Sequence, residues 1–228
     1  GGAAGEGADA WHVPTATVSL VARLLKPGED EITQHYAIKT IENISSHAGE
    51  WSVRFCIPEV AGHLAQVYSS SRNEHMRAGA ASTICRLMRH RPEIAQTMLD
   101  KFGAKIVLAG LGDPNSRIQQ SWAGALNVML MECSTRSRTA LADEKALLPT
   151  LVGLLEQSAV VTRGKVLLSL SLLFRINPRW MLAACQGRWV ATVERQVKEK
   201  DAYLVRCLDT HRAVVGELVA GVMEEVAE

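Results

Sequence analysis

Few residues in this 228-residue chain are spaced for chemistry. Glu74 and His75 are adjacent, so on a helix they point to different faces, and no second histidine follows at the spacing of a zinc-protease pair. His47 and His90 stand 43 residues apart. Both fall near a helix end, where free carbonyls and the helix dipole suit an imidazole, so capping fits them better than catalysis. In GLGDPNS, Gly110 and Gly112 follow no strand and read as a helix terminus and turn, not as a phosphate cradle. The five cysteines are odd in number and contain no C-x-x-C pair. Cys56 and Cys185 share one repeat position, which suits small core residues in a reducing compartment. There is no nucleophile elbow and no pair of carboxylates with a third partner. The expectation is a chain with no catalytic residue, no metal site and no cofactor.

The elements that would position any site are set by a 43-residue repeat. Ile44, Leu87, Leu130 and Leu173 recur at that step, as do Leu25, Tyr68, Leu111 and Leu154, then Ala37, Ala80, Ala123 and Val166, then Phe55, Met98, Leu141 and Ala184. The row Ile41, Ile84, Asn127, Leu170 is broken once. Within a unit, Ala37, Ile41 and Ile44 are three to four residues apart and share one helical stripe. Asp30, Asn73 and Ser116 precede such stripes and can accept a bond from a free amide, whereas Ala159 cannot. Pro92 and Pro178 follow polar breaks and suit the first turn of a further helix. These features predict an all-α, armadillo/HEAT-like right-handed α-solenoid of about four repeats plus an irregular C-terminal unit. The predicted units are 15–57, 58–100, 101–143 and 144–186, with the irregular cap over 187–228. Near residue 200 VKEKD breaks the pattern, and the 43-residue step carries Val166 onto Asp209.

Composition agrees. The chain is 47% hydrophobic but only 5% aromatic, which suits a continuous core of aliphatic side chains and alanine. A formal charge of +1 provides no global field toward nucleic acid or an anionic membrane. No apolar run approaches the roughly 18 residues that span a bilayer, and no signal segment opens the chain. A soluble, cytoplasmic protein is expected, with neither nucleic acid nor membrane as partner. Residues 1–14 read as a flexible linker or cloning remnant leading into an interior segment of a longer protein, with Trp11 and Val13 available to cover the first unit. Residues 15–228 are expected to form one repeat domain.

The run LLPTLVGLLEQSAVVTRGKVLLSLSLLFRINPRWMLAACQGRWVATVERQ, followed by AYLVRCLDTH, resembles the armadillo/HEAT tail of the Unc-51-like, Fused-related kinases of the RUNKEL type. The match covers about residues 147 to 211, and its most telling points are Pro149, Arg163, Lys165, Cys185, Arg188, Glu194, Arg195, Tyr203 and Cys207. The polar insertion of that family after the Glu-Arg pair is here reduced to QVKEKDA. The resemblance implies a non-catalytic scaffold behind an amino-terminal kinase or pseudokinase domain, in proteins linked to microtubules, cilia and flagella. The chain itself carries no Gly-rich loop with a VAIK-like strand, no HRD and no DFG.

A scaffold needs a surface, and in armadillo stacks the long third helices line the concave face. The row that carries peptide-clamping asparagines in peptide-binding armadillo proteins reads Asn43, Arg86, Met129 and Leu172, and the next reads Ser46, Arg89, Glu132 and Arg175. Met and Leu cannot clamp a backbone, so a nuclear-import receptor is disfavoured. The face changes along the stack from polar and basic, at Lys39, Asn43, Arg86 and Arg89, to apolar, at Val128, Met129, Leu168 and Leu172. Lys39, Asn43, Arg86, Arg89, Met129 and Leu172 are therefore the candidate partner-binding residues. The expected partners are proteins with helical or acidic segments, tubulin and other cytoskeletal or ciliary components among them, or a second copy of the chain. A free-standing armadillo or HEAT adaptor of cytoskeletal or transport assemblies is the alternative reading, and a small enzyme on a helical scaffold the third.

Overall fold

The computed structural model describes residues 14–47 and 50–227. The expected cap at Trp11 and Val13 lies outside them. Among the described residues the chain forms helices and no strand. It opens with α1 (Thr15–Leu24) and the longer α2 (Glu31–Ser46). Four triplets follow, each of a first, an intermediate and a last helix, the last being the longest. They are α3 (Glu50–Arg54), α4 (Pro58–Ser70) and α5 (Glu74–His90); α6 (Glu93–Phe102), α7 (Lys105–Leu111) and α8 (Ser116–Glu132); α9 (Thr135–Ala142), α10 (Leu147–Gln157) and α11 (Val160–Ile176); and α12 (Arg179–Cys185), α13 (Trp189–Gln196) and α14 (Ala202–Ala227). The long helices α2, α5, α8, α11 and α14 pack side by side in one layer, and the intermediate helices back them in a second. This is the stacking of an α-solenoid, in which each unit buries its apolar stripe against its neighbours.

The long helices start where the caps are. Asp30 accepts from the Thr33 amide, and Asn73 from those of His75 and Met76. In the third unit the cap is Asn115, which accepts from Arg117 and Ile118; Ser116, expected to cap, is the first helical residue. Ala159 offers no side-chain cap, as its methyl group dictates, and Asp201 restores one by accepting from Leu204 at 2.9 Å. The amide nitrogens of the two asparagines turn backwards: Asn73 donates to Glu31, and Asn115 donates to Glu74 at 2.6 Å. Each cap thereby ties one long helix to the start of the previous one. Pro92 and Pro178 stand at the N-caps of α6 and α12, one position before the expected first turn.

Counting from the caps exposes a slip in register. Asn115 follows Asn73 by 42 residues, because the step from Leu111 to its cap is one residue shorter than that from Tyr68 to Asn73, and Ala159 follows Asn115 by 44, which restores the frame. The broken row is then complete. Leu126 joins Ile41, Ile84 and Leu170, and all four are fully buried. Asn127 instead bridges two helices, donating to the Lys165 carbonyl at 3.2 Å and accepting from Ser169 at 2.6 Å. The irregularity of the C-terminal unit is likewise one of register. From its cap, Val166 corresponds to buried Leu208 instead of Asp209.

The core runs without interruption from α1 to α14. The rows through Leu25, through Ala37 and through Phe55 are buried in every unit. Two glycines permit the closest approaches. A β-carbon at Gly110 would lie 2.0 Å from the Trp122 ring, so the bare glycine of GLGDPNS accommodates an indole. A β-carbon at Gly164 would lie 2.6 Å from Tyr203, so α14 can seat on α11 only with glycine there. Cys185, at the end of seven-residue α12, is exposed, unlike Cys56 at the matching position.

Candidate partner-binding face

The free flank of the long-helix layer is built from the positions that packing leaves over. At its start, three cations gather at one glutamate. Glu42 is buried on α2 and pairs with Lys39 at 2.9 Å and with Arg117 from α8. Arg117 reaches it from α8, with α5 packed between α2 and α8. Arg86 donates to the Glu42 carbonyl at 3.0 Å and to the Ser46 hydroxyl. Burial pushes the Glu42 carboxyl up, but the hydrogen bond from Lys39 and the fields of Arg117, Lys39 and Arg86 outweigh it and hold the group below the usual range. Lys39 and Arg86 are therefore placed on this flank, but both are engaged within the protein.

His47 and His90 also act locally. The His47 Nδ1 lies 2.8 Å from the Asn43 carbonyl, and the His90 Nε2 lies 3.0 Å from that of Ser45, so both meet carbonyls at the end of α2. Asn43 is exposed. Arg89 is exposed too, and no ion pair engages it among the described residues. The cation beside it was not among the sequence candidates: Lys165, whose Nζ lies over Gly124 of α8. Its signal was legible as the one charge within the run Gly164–Phe174.

At the apolar end the register slip has a consequence. Met129, expected on this flank, is fully buried, because the position equivalent to Arg86 in the third unit is Val128, and the one equivalent to Arg89 is Met131. Met131 is 49% exposed. It lines, with Leu172, Arg175 and Thr139, an open depression of about 410 Å³. Leu172 lines this depression beside Met131. Arg175 pairs with Glu217 of α14 at 2.9 Å.

Two of the points that carry the family resemblance, Arg163 and Arg188, are struts. Arg163 donates to Gln196 at 2.7 Å and to Glu199 at 2.9 Å, Gln196 passes the bond to the Leu155 carbonyl, and Arg188 pairs with Glu156. Chemistry finds little here. Burial pushes the thiols of Cys56 and Cys133 up to about 11 and that of Cys85 up to about 12, which keeps them protonated and unreactive. Among the described residues no group of three His, Cys, Asp or Glu side chains could hold a metal ion, and no helix is long and apolar enough to cross a membrane.

Compared with known proteins, the chain matches no family model. It is 34% identical over 226 residues to the serine/threonine-protein kinase RUNKEL of Arabidopsis thaliana, across 96% of this chain and 16% of that protein. The chain is a homologue of the Unc-51-like kinase family. A second relative, the serine/threonine-protein kinase ULK4 of Mus musculus, is 29% identical over 88% of this chain and 16% of its own length. The chain thus spans about a sixth of the curated relatives it matches. Among solved structures it superposes on a computationally designed armadillo repeat protein for modular peptide recognition, with a TM-score of 0.73 at 12% identity over 91% of this chain and 87% of that one. A designed armadillo protein in complex with the peptide (KR)4 gives 0.70 at 14% identity over 87% and 82%. These likenesses show the fold: the homologue of two kinases is here an armadillo repeat, not a kinase domain.

Proposed function

We propose that this region is a non-catalytic armadillo-repeat scaffold whose inner face binds partner proteins. In the same reading it is part of the C-terminal regulatory region of a Fused-related serine/threonine kinase or pseudokinase, and the partners are acidic segments of microtubule or ciliary components. The supporting observation is the sign of the inner face. Arg89 and Lys165 stand there without counter-ions among the described residues, beside Lys39 and Arg117, which share the single carboxylate of Glu42, and Arg86, which bonds the Glu42 main-chain carbonyl. The designed neighbour carries the basic peptide (KR)4; a face of the opposite sign selects the opposite partner. Co-sedimentation with microtubules at low and high salt tests the reading. The chain pellets at low salt and is released at high salt, and Arg89→Glu lowers the bound fraction at low salt. Absence of pelleting at low salt would remove microtubules as the partner.

A further inference from the structure

Cations that are taken partly out of water ordinarily have an acid beside them, because desolvation without a counter-charge is costly. Elsewhere on this face that rule holds: Lys39 and Arg117 share Glu42, and Arg175 has Glu217. Lys165 breaks it. Its side chain leaves α11 and lies across α8, with Nζ 3.0 Å from the point where a β-carbon of residue 124 would be, so Gly124 provides its berth. The ammonium is half-buried. It is held below the usual lysine range, first by burial and then by the positive charge of Arg89. No ion pair forms at either residue among the described residues.

The nearby carboxylate of Asp201 caps α14 by accepting from the Leu204 amide and acts on the Cys207 thiol, but not on Lys165. The remaining groups acting on Lys165 are the thiols of Cys85 and Cys207. Burial pushes the Cys85 thiol up to about 12, and burial also raises that of Cys207, so neither supplies an anion. Tyr203 completes the wall from α14; burial and the neighbouring Cys207 push its phenol up to about 12, and it remains neutral. Arg89 acts on that phenol as well, which puts the guanidinium from α5 in the same locality as the ammonium from α11. An exposed guanidinium and a half-buried ammonium of like charge share one locality, and an anion entering there would relieve the repulsion between them and the desolvation of Lys165.

We propose that Lys165 and Arg89 form a two-point anion site over Gly124, which seats a carboxylate or phosphoryl group carried by an extended acidic segment of a partner protein. This rests on the reading of the inner face as the partner surface and names the group recognised there. The test uses three short labelled peptides of equal length, one alternating Glu and Gly, one alternating Gln and Gly, and one with a single phosphoserine among Gly and Ser. Their binding to the chain is followed by fluorescence anisotropy. The wild type binds the Glu peptide or the phosphopeptide in preference to the Gln peptide, and the tighter of the two identifies the source of the anion. Lys165→Gln and Arg89→Gln each weaken that binding about tenfold or more, the scale of one lost charge-assisted hydrogen bond. Lys165→Arg retains it, and Arg175→Gln, which removes a cation already paired, leaves it unchanged. The thermal midpoint of Lys165→Gln is no lower than that of the wild type, since an uncompensated charge is removed. Equal binding of the Glu, phosphoserine and Gln peptides overturns the proposal, as does unaltered affinity in both Gln variants or a lowered midpoint in Lys165→Gln. If the peptides are indifferent to Lys165 while Arg89→Glu still abolishes microtubule pelleting, this site falls and the inner-face reading survives.

Discussion

His211 is a buried imidazole with both nitrogens engaged. Its Nε2 accepts from the Trp189 indole at 3.1 Å, and its Nδ1 lies 2.8 Å from the Ser171 hydroxyl, which itself donates to the Leu167 carbonyl. The ring proton is therefore on Nδ1 and the ring is neutral. Burial lowers the pKa to about 4, against a smaller opposing effect of a backbone hydrogen bond with Leu167. The unfolded chain then takes up a proton that the folded one refuses. The stability due to neutral His211 is full above the ordinary histidine value and is lost as pH falls toward 4, by on the order of 3 kcal/mol. Urea denaturation at pH 7 and pH 5 should show this loss in the wild type and a smaller one in His211→Gln; equal losses would contradict it. None of this was legible in the sequence. Trp189, Phe174 and His211 meet as rings 5.2 to 5.9 Å apart, but they come from three helices and share no periodic row.

At the scale of the element, helix type and stripe followed from spacing, because a buried row must recur every three to four residues whatever surrounds it. Register did not follow, because one residue fewer between Leu111 and the next cap leaves the pattern of each helix intact while displacing its phase. Met129 was assigned to the surface for that reason, and Leu126 was missed. The cap decides the matter experimentally. Asn115→Ala removes two amide bonds at the start of α8 and the bond to Glu74, and should cost about 1 kcal/mol or somewhat more. Ser116→Ala, one residue on, should cost a few tenths at most, as expected of an exposed first-turn position. Comparable losses in the two variants would place the helix start one residue later than described.

Across the whole molecule, stacking and end-to-end order were readable because each unit repeats the same apolar demand and can meet it only against its neighbours. The partner face was readable only in part. Charge type could be taken from the rows, but whether a cation is free depends on acids one or two units away. Lys39 and Arg86 are engaged around Glu42, whereas Lys165, read only as a point of family resemblance, is unpaired. The division of labour between an outer layer that supports and an inner layer that binds is the central claim. Hydrogen exchange, measured on the chain alone and saturated with an acidic partner peptide, tests it most directly. The account predicts slowed exchange in α5, α8 and α11, around Arg89, Gly124 and Lys165, with α4, α7 and α10 unchanged; slowing confined to α4, α7 and α10 would contradict it.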